Sequence, residues 1–158
     1  MIRFSSKVAT VAVLTMVFIP AAAFAGELNT RTRQNLETAM HGEAYANLKY
    51  KAYAQKARES GKNELAGLFE TAANVEANEH FAREADALRL AKADDLNLVN
   101  AMAGENYENT TMYKQFAQQA REDGDIAVAK LFEQIAADEG DHYEAYKRML
   151  TQMKAHPK

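Results

Sequence analysis

The sequence has 158 residues, a formal net charge of −3 and no cysteine. The lack of cysteine excludes disulfides, thiol catalysis and cysteine-ligated iron or zinc within these residues. The acidic balance argues against nucleic acid and anionic membranes as partners. No proline lies between Pro20 and Pro157, and alanine, glutamate, lysine, leucine and glutamine dominate the body of the chain. This composition predicts an all-α domain.

The first 25 residues have the pattern of a secretory signal peptide. Arg3 and Lys7 precede an apolar run that ends in Ala-Phe-Ala, so cleavage is predicted before Gly26. A membrane anchor is the alternative, but the apolar run barely reaches spanning length. The sequence therefore predicts an exported, periplasmic protein whose mature domain is 26–158 and does not associate with the membrane.

Two glycine-containing turns and a central linker divide the mature chain into four predicted helices. Gly61 in ESGKNE and Gly124 in EDGDIA each stand where a helix should end, and a polar residue able to cap the next helix follows. The linker is AKADDLN. We predict helices at about 30–60, 64–90, 97–123 and 126–153.

The second pair of helices repeats the first. The matching pairs include Met40 with Met102 and Glu43 with Glu105 at a spacing of 62, and Tyr50 with Tyr113 and Glu76 with Glu139 at a spacing of 63. Two similar helical hairpins are therefore expected. The extra residue falls between Asn109 and Tyr113, inside a helix, and predicts a π-bulge there. Absorption of the residue near a helix end is the alternative.

Each predicted helix carries acidic residues on its apolar face. They are Glu43 on the first helix, Glu76 and Glu79 on the second, Glu105 and Glu108 on the third, and Glu139 with His142 on the fourth. Burying unpaired carboxylates is costly, and the only cation on these faces is Arg83. A pair of divalent or trivalent metal ions would neutralise them better. The Glu-x-x-His spacing of the fourth helix puts both side chains within reach of one metal.

At these residues the sequence resembles the diiron domain of the rubrerythrin family, within the ferritin-like proteins, over about 30–150. The resemblance rests on AMHGEAYANLKY, LFETAANVEANEH, AGENYENTTMY and LFEQIAADEGDH. It implies a ferritin-like four-helix bundle, made of repeated hairpins at about 30–90 and 97–153, that holds two iron ions. Zinc or manganese are the alternative metals. The ligands that the resemblance implies are Glu43, Glu76, Glu105, Glu108, Glu139 and His142.

The second helix departs from the family pattern. Rubrerythrins usually carry Glu-x-x-His there, whereas in this sequence Glu79 follows Glu76 at that step and the histidine is displaced to His80. We expect Glu79 to replace the imidazole, because it matches His142 at the repeat spacing. His80 is the alternative if the helix is locally distorted.

The resemblance implies an oxidoreductase that reduces hydrogen peroxide, and the predicted signal peptide implies that it is exported. Tyr50 and Tyr113 match the family's tyrosines that donate hydrogen bonds beside the metals. Rubrerythrins typically append a four-cysteine iron site that donates electrons. Because the sequence has no cysteine, an external electron donor is expected. Two alternatives stay open: a ferroxidase that handles iron with oxygen or peroxide, and a metal-stabilised binding protein without redox chemistry.

The short central linker bears on assembly. In a ferritin-like bundle the second and third helices run parallel, so the chain between them must return about 30 Å or more. The linker residues reach only about 25 Å. A domain-swapped homodimer is therefore expected, in which one chain's first hairpin completes the other's second. A monomer with an up-down-up-down bundle is the alternative.

Overall fold

The computed structural model describes residues 27–156, and the predicted signal peptide lies outside them. The described residues form four helices and no strand: α1 (Thr30–Glu59), α2 (63–88), α3 (94–122) and α4 (Ile126–Ala155). The predicted all-α class is confirmed. In the described part of the chain, no helix combines the length and the apolar character that crossing a membrane requires.

The chain divides into two compact units between Leu88 and Arg89. The first is the hairpin of α1 and α2, and the second is the hairpin of α3 and α4. Residues 89–93 connect them. The side chain of Asn97 holds this connection to the first turn of α3: its Oδ1 accepts from the Lys92 N–H at 2.9 Å and its Nδ2 donates to the Lys92 carbonyl at 2.8 Å. The helix α3 begins at Asp94, about three residues before the predicted start at Asn97.

The same turn closes both hairpins. Gly61 and Gly124 adopt φ of 72° and 84°, a left-handed conformation that glycine reaches without a steric cost. Behind Gly61 the Lys62 N–H donates to the Ala57 carbonyl at 2.8 Å. Asp125 makes the equivalent bond at the end of α3. These bonds pair carbonyls that the end of a helix would otherwise leave without partners, so both helices stop at the predicted glycine.

Alanine side chains form the contact between the two helices of each hairpin. In the first hairpin Ala54, Ala57 and Ala66 are buried together, and Phe69 packs against them. The buried alanines of the second hairpin are Ala117, Ala120, Ala129 and Ala136. Small side chains let the two helices of a hairpin approach closely.

Each hairpin contains one π-helical turn. It spans Glu76–Phe81 in α2 and Glu108–Met112 in α3. The π-turn of α3 lies where the repeat spacing changes, so the predicted π-bulge is confirmed. A π-turn accommodates one residue more than an α-helical turn, and such turns are frequent at functional sites. Both begin at a glutamate that the sequence singles out as a candidate ligand.

Candidate metal centre

Each hairpin brings two glutamates and one histidine together. The groups are Glu43, Glu76 and His80 in the first hairpin and Glu105, Glu139 and His142 in the second. Within each group, one ligand atom from every residue lies within 4.8 Å of the others. Carboxylate oxygens with one imidazole form a donor set that suits iron, manganese or zinc.

In the first hairpin the π-turn of α2 selects the histidine. His80 Nδ1 lies 2.8 Å from Glu76 Oε2 and 3.8 Å from Glu43 Oε2. The Glu79 carboxylate instead lies 3.4 Å from the Arg83 guanidinium. A four-residue step through a π-turn covers about the rotation of a three-residue step in an α-helix. The geometry therefore favours His80, the alternative in the sequence analysis, over Glu79.

The second hairpin reaches the same geometry without a π-turn between its glutamate and histidine. His142 Nδ1 lies 2.8 Å from Glu139 Oε2 and 3.8 Å from Glu105 Oε2. Here the two residues of α4 are three apart in a regular helix, as predicted for residues that share one face. The two groups thus have matching separations although their local backbones differ.

A signal for His80 is present in the sequence. The spacing between the repeats grows from 62 to 63 at the π-turn of α3. A second single-residue insertion, in α2, returns it to 62, so that His80 matches His142 and Phe81 matches Tyr143. The match of Glu79 with His142 assumed that the spacing of 63 continued past Glu76.

In each hairpin the carboxylate on the second helix raises the pKa of the glutamate that faces it on the first helix. The pKa of Glu43 is raised by a hydrogen bond shared with Glu76, by burial and by the charge of Glu76. Burial raises the pKa of Glu105, together with a hydrogen bond to Glu139 and its charge. The pKa of His142 is also raised, chiefly by its hydrogen bond to Glu139. In each group the two carboxylates carry more negative charge than the histidine can neutralise. A bound cation would neutralise the excess.

A buried oxygen beside the first group points to the same need for a cation. Glu84 Oε2 in α2 is buried and has no hydrogen-bond partner among the described residues. The charge of Glu84 also contributes to the raised pKa of Glu43. An unpaired buried carboxylate oxygen is unfavourable unless a cation or a donor reaches it. The residues of this hairpin therefore fit a metal ion.

Glu108 lies beside the second group rather than within it. It is half-buried at the start of the π-turn of α3, and its charge raises the pKa of Glu105. It also contributes, after burial, to the raised pKa of the Tyr113 phenol. Its role as a ligand stays a prediction.

The two candidate tyrosines occupy equivalent places in the hairpins. The Tyr50 ring stacks on Phe69 with centroids 6.1 Å apart, and the Tyr113 ring lies 6.0 Å from Phe132. Both tyrosines are half-buried, at positions that follow the first glutamate of their group by about two turns. Their hydrogen bonding to metal ligands stays a prediction.

Two asparagines outside the predicted site join the helices that carry the candidate ligands in each hairpin. Asn47 is buried, and its Nδ2 donates to the Ala73 carbonyl at 2.6 Å. Asn109 makes the equivalent bond to the Ala136 carbonyl. Each carbonyl belongs to the residue three positions before the glutamate on α2 or α4. Asn47 and Asn109 are 62 residues apart, the spacing of the repeat, and this match could have identified them from the sequence.

Comparison with known proteins identifies a family. A family model described as Rubrerythrin matches residues 34–150. The chain is 33% identical to Nigerythrin of Nitratidesulfovibrio vulgaris over 73% of this chain and 63% of that protein. It is 31% identical to Rubrerythrin of Porphyromonas gingivalis over 77% of this chain and 66% of that protein. The matched part thus spans about two thirds of these relatives. The chain belongs to the rubrerythrin family, as its resemblance predicted, and has the ferritin-like, all-α fold class of that family.

Proposed function

We propose that the protein is a diiron oxidoreductase that reduces hydrogen peroxide with electrons from an external donor. The observation that carries the proposal is the pair of matching groups, in each of which a histidine Nδ1 lies 2.8 Å from one carboxylate and 3.8 Å from another. Membership of the rubrerythrin family supports iron as the metal. Zinc and manganese are the alternative metals for this donor set.

The ligands in this proposal come from both hairpins. Glu43, Glu76 and His80 hold one metal ion, and Glu105, Glu139 and His142 hold the other. Glu108 adds a carboxylate on the side of the second hairpin. Carboxylates can bridge two ions, whereas an imidazole binds one, so each hairpin contributes one histidine to one ion.

Peroxide reduction consumes two electrons and two protons and yields two waters. When bound, the iron pair supplies the two electrons and polarises the peroxide oxygens. The chain supplies proton donors. Burial and the charges of Glu108 and Glu139 keep the pKa of Tyr113 above its ordinary value, so its phenol stays protonated and can donate. Tyr50, at the equivalent place of the first hairpin, is the second candidate donor.

The electrons must reach the site from outside these residues. The sequence contains no cysteine, so no four-cysteine iron site lies within it. We propose that a separate protein or a small reductant donates to the iron pair.

A domain-swapped homodimer is the assembly that we propose. At roughly 1.5 Å per residue, α2 is about 40 Å long, and in a ferritin-like bundle the chain must return along it before α3. Residues 89–93 span at most about 20 Å. This mismatch supports pairing of one chain's first hairpin with the second hairpin of its partner. Solution scattering on the metal-loaded protein tests it, and a monodisperse monomer would contradict it.

Export to the periplasm is proposed on the sequence of residues 1–25 alone. Expression in a bacterial host and mass measurement of the periplasmic fraction should give a chain that begins at Gly26. Recovery of the uncleaved chain in the cytoplasm would contradict export.

Single-turnover chemistry tests the activity. The protein is loaded anaerobically with two ferrous ions per chain, substoichiometric peroxide is added, and peroxide loss is followed through repeated cycles of reduction. We expect one peroxide consumed per iron pair in each cycle, and loss of this reaction in Glu105→Ala. Glu144→Ala removes an exposed carboxylate from the same hairpin and should react normally. Continued uptake of added iron would indicate a ferroxidase instead. Absence of a two-iron stoichiometry would contradict both activities.

A further inference from the structure

We propose that Tyr50 and Tyr53 form a route by which the first hairpin gives an electron and a proton to peroxide when the metal centre can give only one electron. Tyr53 is the end of this route at the protein surface. The family resemblance concerns Tyr50 and does not extend to Tyr53. The inference rests on the diiron function proposed above, because peroxide must react at the metal ligands.

Three aromatic rings lie together in the first hairpin. The centroids of the Tyr50 and Tyr53 rings are 6.3 Å apart, and the Phe69 centroid lies 6.1 Å from Tyr50 and 5.4 Å from Tyr53. These separations are those of interacting aromatic pairs. Tyr50 is half-buried, whereas Tyr53 is 48% exposed. The cluster therefore leads from the interior of the hairpin to solvent, with an oxidisable phenol at each end.

Tyr50 is the member of the pair nearer the candidate ligands. It follows Glu43 by seven residues on α1, so it lies on the same face, about 10 Å farther along the helix axis. Side chains of a helix lean toward its N-terminus, which inclines the Tyr50 phenol back toward Glu43. Tyr53 lies one turn farther from Glu43. Electrons pass between groups that are not in contact, so the separation permits transfer to Tyr50.

The second hairpin has no phenol at the outer position. At the repeat spacing of 63, Phe116 stands where the first hairpin has Tyr53. The Tyr113 ring lies 6.1 Å from Phe116 and 6.0 Å from Phe132, so the packing of the three rings is retained. Phenylalanine thus satisfies the packing at this position. Because phenylalanine has no phenol proton to release, the route belongs to the first hairpin.

A lysine beside Tyr50 determines the form of the transfer. The Lys49 ammonium lies 5.2 Å from the centroid of the Tyr50 ring. A cation at a ring face is attracted by the electron density there, and the same charge opposes a ring that has lost an electron but kept its proton. Tyr50 therefore loses its phenol proton together with its electron. The product is a neutral tyrosyl radical.

Electrons and protons balance along the route. Peroxide takes up two electrons and two protons and yields two waters. With a single ferrous ion bound, one electron comes from that ion, the second electron and one proton come from Tyr50, and the other proton comes from solvent. An electron from Tyr53 and a proton from solvent then restore Tyr50, while Tyr53 releases its own phenol proton to solvent. An external one-electron reductant restores Tyr53, which regains a proton from solvent.

Radical trapping tests the route. The full-length protein is loaded anaerobically with one ferrous ion per chain, and one equivalent of peroxide is added. Electron paramagnetic resonance of rapidly frozen samples detects tyrosyl radicals. In parallel samples a nitroso spin trap is present, and peptide mass mapping locates its adduct. Tyr45→Phe is the control, because Tyr45 is 68% exposed and would react more readily than Tyr53 with an oxidant that diffuses in solution.

We expect an adduct at Tyr53 in the unsubstituted protein and in Tyr45→Phe. Tyr53→Phe should lose this adduct and keep a tyrosyl radical signal, which arises from Tyr50. Tyr50→Phe should lose the adduct although Tyr53 is still present. Loading with two ferrous ions should suppress the adduct, since both electrons then come from the metal.

Three results would overturn the route and leave the diiron function intact. They are equal adducts on Tyr45 and Tyr53, an adduct on Tyr53 that persists in Tyr50→Phe, and peroxide consumption without any adduct on Tyr53. Failure of the unsubstituted protein to bind ferrous iron would overturn both the route and the diiron function.

Discussion

Nδ1 of His80 lies 2.8 Å from Oε2 of Glu76, across a π-turn that adds one residue to α2. In the second hairpin the same separation joins a histidine and a glutamate three residues apart in a regular helix. The π-turn thus brings a displaced histidine back to the place that the family pattern would give it. A helix without the π-turn would present Glu79 there instead.

Replacement of His80 or Glu79 by alanine shows which of the two residues is the metal ligand. His80→Ala should lower the affinity of one metal site by about tenfold to a hundredfold, because it removes a nitrogen ligand. Glu79→Ala removes only an exposed ion pair with Arg83, so metal affinity and stability should change little. Competition titration with ferrous iron measures both. The opposite ranking would restore the assignment first favoured from the sequence.

Deletion of Asn78 tests the π-turn itself. The deletion shortens the segment between Glu76 and His80 to the Glu-x-x-His step, which a regular helix accommodates. We expect the variant to fold and to bind two metal ions with affinities close to those of the unchanged protein. Deletion of Asp141 is the matched control, since it lies between the glutamate and histidine of α4, where no π-turn can absorb the change. That variant should lose one site, and equal effects of the two deletions would argue against this role of the π-turn.

The absence of a side chain at Gly140 leaves room for the hydrogen bond from Asn109 to the Ala136 carbonyl. A Cβ at this position would lie 2.8 Å from Nδ2 of Asn109, which donates to the Ala136 carbonyl. Alanine normally stabilises a helix interior by about 1 kcal/mol relative to glycine. In Gly140→Ala we expect this gain to be offset by loss of a hydrogen bond worth about 1 kcal/mol.

Denaturant unfolding of the metal-free protein measures the effect of Gly140→Ala. Gly67→Ala is the control, because its Cβ meets nothing within 4 Å, and it should show the full gain. The substitution Asn109→Ala should make the effect of Gly140→Ala more favourable. Additive effects of these two substitutions would contradict the contact.

Stability of the metal-free protein should fall as the pH rises. The pKa values of Glu43, Glu105 and His142 are raised in the folded state. A raised pKa stabilises the fold below the unfolded-state value, and this contribution is lost as the pH rises through the folded-state value. The free energy of unfolding should therefore decline between about pH 5 and pH 8.

Metal binding should show the reverse dependence, because the metal displaces those protons and its affinity rises with pH. Unfolding with a chelator present and calorimetry of proton release measure the two trends. Glu43→Gln should flatten the decline in the metal-free protein. A metal-free protein that gains stability up to pH 8 would contradict the origin of the raised pKa values.

Much of the fold could be predicted from the sequence, because helix ends depend on local chemistry. Gly61 and Gly124 marked the ends of α1 and α3, and the change in repeat spacing marked the π-turn of α3. The π-turn of α2 was harder to predict, since Glu79 satisfied the Glu-x-x-His step by itself. Glu84 could not be found from periodicity, because its importance depends on the burial of one oxygen, which only packing determines.

Iron stoichiometry of the histidine variants tests the central claim most directly. Ferrous iron is titrated anaerobically into the full-length protein, and bound iron is counted per chain after gel filtration. The two Glu-Glu-His groups predict two ions per chain in the unchanged protein, one in His80→Ala and one in His142→Ala, with neither tightly bound in the double variant. Retention of two tightly bound ions in the double variant would contradict the account.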